Sequence, residues 1–463
     1  MTVGTLKAAE TGAKLASDLP LIAPIFSHDG PGTSIHLAEG QVTLETKGKT
    51  YTGKGQARLE TAPDERLKVT WVADTAASAG WWRVDDRDDL IMRFGPRGKP
   101  INMLVTRSTY TSEGAVTLDM IPKSGAPSQF RDRRVKLAQL VVHILNFPLF
   151  IGPDDILHNE AVGGSRRLGR VVFANADWSV EMQELPSAKK TVEQLKTSGG
   201  NAMTHIAEIR RANGRMFSIG DAERVVYRLH QFLSFARGHA TSVFGAVGFD
   251  REGGRAYEQW GTFPSTSWVA RTSWFDVHHA EALTALFPGF MRARDHPQTA
   301  GAVSKALYWY LRSNRGGSGM GTDGALILSQ AALEGLSTTA LTVAGIPLPN
   351  TAADKIRGAC IGWGIPTVIP AELKKLRSGR RKGAWADGPE ALTRVRNDLV
   401  HSGRRSSTPL GPVVPETWRL AQWYLELAIL RMCGYAGNHS NRLTARWVGE
   451  VSPVPWAPRT RSR

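Results

Sequence analysis

Cysteine is almost absent from this 463-residue chain, with Cys360 and Cys433 the only two. That excludes a disulfide framework and a thiolate zinc site, and it agrees with a reducing compartment. Long apolar runs are missing too. Stretches such as "LAQLVVHILNFPLFI" are too short and too interrupted to span a bilayer, and the opening "MTVGTLKAAETGAKLASDLP" lacks the apolar segment and cleavage site of a signal peptide. No membrane partner is expected, and a cytoplasmic location is the default. Acidic residues are the third shortage: only 42 Asp and Glu stand against 58 Lys and Arg, a net charge of +16 and a pI near 10.0. Such a field favours polyanions, nucleic acid first among them.

What remains is an ordinary folded composition, 41% hydrophobic and 22% charged, long enough for two or three domains. Between residues 33 and 125, "TSIHLAEGQVTLET", "KTYTGKGQARLE", "LKVTWVAD" and "GAVTLDMIP" alternate apolar and polar residues with turn signals between them, the pattern of short antiparallel strands. "RRLGRVVFANADWSVEMQEL" continues the strand-rich character. "SIGDAERVVYRLHQFLSFARG" then repeats Ala222, Val225, Val226, Leu229, Phe232 and Leu233 at helical spacing behind an Asp221 cap. Residues 1–290 therefore read as one β-rich region, divisible into two domains.

From about residue 300 the alternation stops. "AVSKALYWYLRSN", "DGALILSQAALEGLSTTALTVAG", "PEALTRVRNDLVHSG" and "PETWRLAQWYLELAILRMCGYAG" each read as a helix, so the predicted class is α+β, with an all-α bundle over residues 300–440. "PAELKKLRSGRRKGAWADGP" reads as a basic connection, and residues 441–463 as a disordered tail. "GMGTDG", Gly319 to Gly324, matches a dinucleotide fingerprint by letter but follows a helix, so it reads as a connection capped by Thr322 or Asp323. His278 and His279 have no metal-ligand spacing and read as structural.

The helix around "RVRNDLVH" is the most informative. At about 100° per residue, Leu392, Val395, Leu399 and Val400 define its apolar face, while Arg394, Asn397, Asp398 and His401 lie opposite. Arg394 and Asp398 are spaced as a surface ion pair worth about 0.3–0.5 kcal/mol. Arg396, about 40° from Leu392, falls inside the apolar stripe. A guanidinium there must be paired, reach water or lie at an interface. Glu334, on the apolar stripe of the preceding long helix, is its candidate partner. His401 ends the helix, with Gly403 as the terminating glycine, and the helix dipole stabilises a protonated imidazole there.

Taken together, "RNDLVH" from Arg396 to His401 resembles the R-x4-6-H signature of the HEPN superfamily of four-helix bundles. "ALYWYLRSN" and "GALILSQAALEGL" are similar to the first two helices of its ApeA-like anti-phage members. "NAMTHIAEIRRANGRMFSIGDAERVVYRLHQFLSFARG", "VGFDREGG" and "SWFDVHHAEALTALFPGF" are similar to the large N-terminal region those members carry. Arg394 also satisfies the spacing, as R-x6-H; the Asn397 that follows Arg396 favours Arg396.

The resemblance implies a metal-independent endoribonuclease without cofactors that acts in abortive infection. Its sites form across a homodimer or higher homo-oligomer, and transfer RNA is among the candidate substrates. The β-rich region would sense a phage-derived activator. In such chemistry His401 would handle the 2′-hydroxyl and leaving-group protons, Arg396 would face the charge developing on the phosphate, and Asn397 would orient the imidazole or bind phosphate. Asp398, Glu334 and Arg394 are supporting candidates. Lys374, Lys375, Arg377, Arg380, Arg381, Lys382, Arg404 and Arg405 would form a phosphate-binding rim that reads backbone rather than sequence. A non-catalytic nucleotide- or RNA-binding or dimerisation module is the alternative, and an enzyme acting through the N-terminal region ranks below both.

Overall fold

The computed structural model describes residues 21–63, 65–73, 90–110, 115–132, 134–157, 166–261, 263–269, 272–315, 320–401, 410–444 and 447–458. It is α+β, with the long strands in the first 260 residues and helices dominating from residue 281 to residue 432.

Six antiparallel strands close a barrel in the order β1 (Ile35–Thr46), β2 (Lys49–Glu60), β3 (Arg66–Ala73), β6 (Val116–Pro122), β5 (Ile101–Tyr110) and β4 (Leu90–Phe94). The β1–β2 hairpin turns on Lys47 and Gly48, both at positive φ (45° and 73°), the two-residue turn whose twist matches the strands. Inside the barrel the sequence alternates small with large. A Cβ on Gly53 would stand 2.6 Å from the Trp71 indole, and one on Gly55 would stand 2.3 Å from Val42. The glycines of "TYTGKGQ" thus make room for fully buried Trp71 and Phe94.

A second, eight-stranded sheet runs β10 (Asp154–Leu157), β11 (Arg166–Ala174), β12 (Trp178–Glu184), β13 (Met203–Arg211), β9 (Gln139–Leu145), β15 (Val243–Phe249), β16 (Arg255–Gln259) and β7 (Ser128–Phe130). β8 (Lys136–Leu137) and β14 (Phe217–Ser218) form a small pair beside it. The sheet is the shared middle layer. Val141, Leu145, Met203, Ile206, Phe244 and Val247 on one face join the barrel's core. Leu140, Val142, Ile144, Val171, Phe173 and Val180 on the other join the core of the helices. Because β9 is covered on both sides, "QLVVHIL" reads as a continuous apolar run.

His143 of that run is fully buried. Its Nε2 accepts from the Ile25 N–H (3.1 Å), and Nδ1 donates to the Gly245 carbonyl (3.2 Å). The imidazole is therefore neutral, with burial pushing its pKa down to about 4.

Four helices flank or follow the sheet: α1 (Ala188–Ser198), α2 (Ile219–Arg237), α3 (Glu281–Asp295) and α4 (Ala300–Ser313). The cap of α2 is Ser218 rather than Asp221. Ser218 Oγ accepts from the Asp221 N–H at 3.1 Å and the Asp221 carboxylate accepts from the Ser218 N–H, a reciprocal capping box. Then come α5 (Gly321–Val343), α6 (Ala352–Trp363), α7 (Lys374–Arg381), α8 (Gly388–Val400) and α9 (Leu410–Met432). Every residue of α9 from Leu420 to Leu430 is buried, so α9 is the axis on which α4, α5, α7 and α8 pack. Among the described residues α5 alone has the length and hydropathy to cross a membrane; here Ala325, Leu326, Leu333 and Leu336 are buried and the helix packs against α4, α6 and α9.

Three expectations are corrected. The "basic connection" contains α7, and α6 precedes it; both are short, and their glycines and lysines mask the helical period. Gly321 opens α5 with no side-chain cap, Asp323 lying in the first turn and Gly319 outside the described residues. Within the expected disordered tail, Leu443 and Val454 are buried, and β18 (Ser452–Pro453) pairs with β17 (Asn438–His439) just before it. Arg442 enters the core there: Nε and Nη2 donate to both carboxylate oxygens of Glu426 on α9 (Nε 2.9 Å), and Nη2 also donates to Asn314 Oδ1 (3.1 Å). Tyr310 of α4 donates to the same carboxylate at 2.6 Å.

Removing Arg442 by Arg442→Met leaves Glu426 buried without its cation. Urea titration should read a loss of about 3–5 kcal/mol, and a loss below about 1 kcal/mol would contradict the role given to this pair. A second expectation concerns acid. The unfolded chain protonates a histidine below pH ~6.5, whereas folded His143 does so only near 4. The stability His143 supplies above pH ~6.5 is thus lost as pH falls from there toward 4, by up to about 3 kcal/mol. His143→Gln should make that acid slope shallower.

Candidate functional site

The start of α8 is clamped. Asp387 is the N-cap, its Oδ1 accepting from the Glu390 N–H at 2.9 Å, and Pro389 sits in the first turn, where a missing N–H costs nothing. Arg357 of α6 holds the same carboxylate through Nε (2.6 Å) and Nη2 (3.1 Å) while also pairing with Asp354. The bond to Asp387 raises the pKa of the Arg357 guanidinium further. Glu390 accepts from the Ala386 N–H (2.8 Å) and pairs with Arg394 (2.7 Å), whose Nη1 also reaches the Ala384 carbonyl at 2.6 Å. Arg394 thus pairs with Glu390, one turn earlier, instead of with Asp398, and its position is fixed by the turn before the helix. Ala391, Leu392 and Val395 bury the inner face.

At the other end Arg396 is half-buried. Its Nη1 donates to Asn397 Oδ1 at 3.1 Å, while Nε is buried with no partner among the described residues. Glu334 does not reach it. That carboxylate instead accepts from Lys355 (3.2 Å) and Gln330 (3.2 Å), because α6 stands beside α5 and supplies the nearer cation. Leu399 is half-buried and Val400 is 44% exposed, so the apolar face ends one turn earlier than the wheel implies. His401 is exposed and has left the helix (φ −108°, ψ 92°), with its N–H still donating to the Asn397 carbonyl at 2.9 Å. His401 therefore no longer follows the helical wheel. Asp398 is half-buried. Gly403, Arg404 and Arg405 lie outside the described residues.

The basic rim is α7. Glu416 of α9 accepts from the Lys375 and Leu376 N–H groups (2.8 and 3.0 Å), satisfying two of the helix's unbonded donors. Leu376 and Gly379 face inward. A Cβ on Gly379 would come within 2.2 Å of the Trp385 indole, whose Nε1 donates to the Leu376 carbonyl at 2.9 Å. This anchoring leaves Lys374, Lys375, Arg377, Arg380, Arg381 and Lys382 exposed, without an ion pair among the described residues. α7 adjoins the start of α8, and about 12 Å of helix separates that start from Arg396 at about 1.5 Å per residue.

Among the described residues no group of three His, Cys, Asp or Glu side chains is placed to hold a metal ion. His278 bonds Asp276 (3.1 Å), and His279 ties Glu281 (3.0 Å) to the Gly449 carbonyl (2.8 Å), contacts that pin the C-terminal segment against the start of α3. Sequence reasoning missed Arg357, Glu416 and Trp385, which position α7 and α8. The D-x-x-E spacing of Asp387 and Glu390 is the signal that marks the start of α8.

Two segments of the chain match domain-family models: residues 132–270 match the YopA central domain, and residues 296–453 match the YopA C-terminal domain. The second segment holds α7, α8 and α9, and with them the whole candidate site. A relative described as "SPbeta prophage-derived uncharacterized protein YopA" from Bacillus subtilis (strain 168) is 25% identical over 442 residues, covering 92% of this chain and 95% of its own. No solved structure matches the chain.

Asp387→Ala removes both the cap and an Arg357 partner and should lower stability by at least about 1 kcal/mol in urea titration. Asp387→Asn retains the cap and should recover more than half of that loss. If Asn is as damaging as Ala, the ion pair and not the cap holds α8.

Proposed function

We propose that this chain is a metal-independent endoribonuclease of the HEPN type, acting through Arg396, Asn397 and His401 at the C-terminal end of α8. One observation carries the reading: Arg396 has a buried, unpartnered Nε and no carboxylate among the described residues. A buried donor left without a partner costs about 1–3 kcal/mol. An anion arriving at the guanidinium removes that cost, and a phosphate oxygen suits the planar fork. The Asn397 amide orients the group from the adjacent position.

In the reaction, the RNA 2′-hydroxyl gives up its proton and attacks the neighbouring phosphorus, and the 5′-oxygen leaves with a proton, giving a 2′,3′-cyclic phosphate. Exposed His401 moves the protons, and Arg396 meets the charge on the phosphate oxygens. A single α8 offers one imidazole. Two copies of this chain, meeting about a twofold axis at the ends of their α8 helices, supply a base and an acid together. The packing of α4, α5, α8 and α9 on one another supports the HEPN reading of this region. The cationic face of α7 supplies backbone contacts for RNA. A prophage-derived relative fits a role in conflict between phage and host, in which the β-rich region senses a phage-derived activator.

A second reading is a non-catalytic RNA-binding module, favoured by the separation of α7 from Arg396. Purified protein with mixed transfer RNA and single-stranded RNA in EDTA separates the two. Cleavage by wild type that is lost in Arg396→Ala and in His401→Ala, with Arg394→Ala retaining most activity, supports the nuclease. A strict metal requirement counts against it, and binding without cleavage at any protein concentration favours the second reading. Under either reading, replacing Lys374, Lys375 and Arg377 by Gln should weaken RNA binding uniformly across sequences and flatten its salt dependence by about 0.7 per lost phosphate contact.

A further inference from the structure

A cavity of about 520 Å³ opens where the segment matching the central domain meets the helical segment. One wall is aromatic. Tyr227 and His230 come from α2 and Phe263 from the loop after β16, with the Phe263 ring stacked on the His230 imidazole at 4.6 Å and 16°. His230 Nδ1 faces the Thr241 carbonyl at 2.7 Å and so carries the proton, which leaves Nε2 a bare acceptor. The other wall is the outer side of α4, where the Arg312 guanidinium lies 3.6 Å from the Tyr308 ring centre. Arg315 follows on the rim.

Among the described residues no aspartate or glutamate lines this cavity. Behind it Arg237 is 2% exposed, its Nη1 donating to the Ala240 and Thr266 carbonyls (2.8 and 3.0 Å) of two lining residues, and its Nη2 is buried without a partner. Burial, with Arg315 adding repulsion, brings the Arg237 pKa down to about 9. The volume suits a small ligand of several rings. Its lining asks for a flat ring at one side, a hydrogen-bond donor for His230, and negative charge at the arginine end.

We propose that this cavity binds a nucleotide, the base against the Phe263–Tyr227 wall and the phosphates toward Arg312 and Arg315, bridging the two matched segments. Base stacking on aromatic rings and arginine forks on phosphate are the general means by which proteins hold such molecules. The occupant is a free nucleotide or the phosphorylated end of an RNA, which share this chemistry. The proposal stands apart from the ribonuclease reading, since none of these residues belongs to α7 or α8.

Calorimetric titration of the full chain with ATP, GTP, CTP and UTP, with adenosine, and with a 5′-phosphorylated RNA hexamer tests it. At least one triphosphate or the hexamer should bind saturably at one site per chain, with adenosine far weaker. Arg312→Gln and Tyr308→Ala, both exposed side chains whose loss leaves the core intact, should each weaken binding about tenfold. Neutralising Lys374, Lys375 and Arg377 should leave mononucleotide binding unchanged. Tighter binding of the hexamer than of any mononucleotide, still weakened by Arg312→Gln, assigns the site to an RNA end. Absence of binding by every probe, or binding that falls with the α7 changes but not with Arg312→Gln and Tyr308→Ala, overturns the proposal.

Discussion

The Glu426–Arg442 ion pair is the constraint on which the helical half depends. Both side chains are nearly out of water, 1% and 3% exposed, and such a pair is tolerable only when every remaining lone pair and N–H is matched. The matching partners come from separate parts of the chain: Tyr310 from α4, Asn314 just after it, and the Thr272 carbonyl from the loop before α3. Asn314 in turn donates to Gly238 and Thr272 (2.8 Å each), and a Cβ on Gly238 would stand 2.8 Å from that amide. Glycine at the end of α2 thus serves both its left-handed φ of 79° and the close approach of Asn314. One turn along α9, Gln422 joins Ser313 and Ser329 (2.6 Å each), so α4, α5 and α9 share one polar seam inside an apolar bundle.

This seam also ties the two domain matches together. The end of α2 and the residue-272 loop lie in or beside the first, whereas α4, α9 and Arg442 lie in the second. The carboxylate's own partners, Tyr310 and Arg442, lie in the second, and the Gly238 and Thr272 carbonyls complete the network through Asn314 and Arg442. The eight-stranded sheet does the corresponding work on the other side, because β9 has no solvent face and must be covered by barrel and helices together.

The division into strands and helices was legible because it rests on local periodicity, which a single sequence carries in full. α6 and α7 were not, since helices of 12 and 8 residues rich in glycine or lysine are fixed by tertiary anchors: Arg357 on Asp387, Glu416 on the α7 N–H groups, Trp385 over Gly379. The packed C-terminal segment was illegible for a related reason. "NHSNRLTARW" is polar and looks disordered until Arg442 is seen to meet an acid that the sequence hides inside the apolar run "YLELAIL". At the candidate site, Arg396 was legible because an arginine in an apolar stripe breaks the helical pattern. Its imagined partner was not, because Lys355, on an unforeseen helix, takes Glu334.

The net charge of +16 deserves a narrower reading than the sequence invites. Arg170, Arg237, Arg294 and Arg442 are all at most 9% exposed and are occupied with carbonyls, amides or carboxylates of the fold, so they present nothing to a polyanion approaching from solvent. Others, such as Arg357 and Arg394, are held by acids that fix helix ends. Of what is left over, the densest run is on α7, where six exposed cations between Lys374 and Lys382 face solvent without an ion pair among the described residues; Lys49, Lys54, Lys136, Lys189 and Lys190 are exposed elsewhere. The α7 row lies in the same matched segment as Arg396 and His401, so the densest unpaired charge and the odd arginine of α8 share one helical unit.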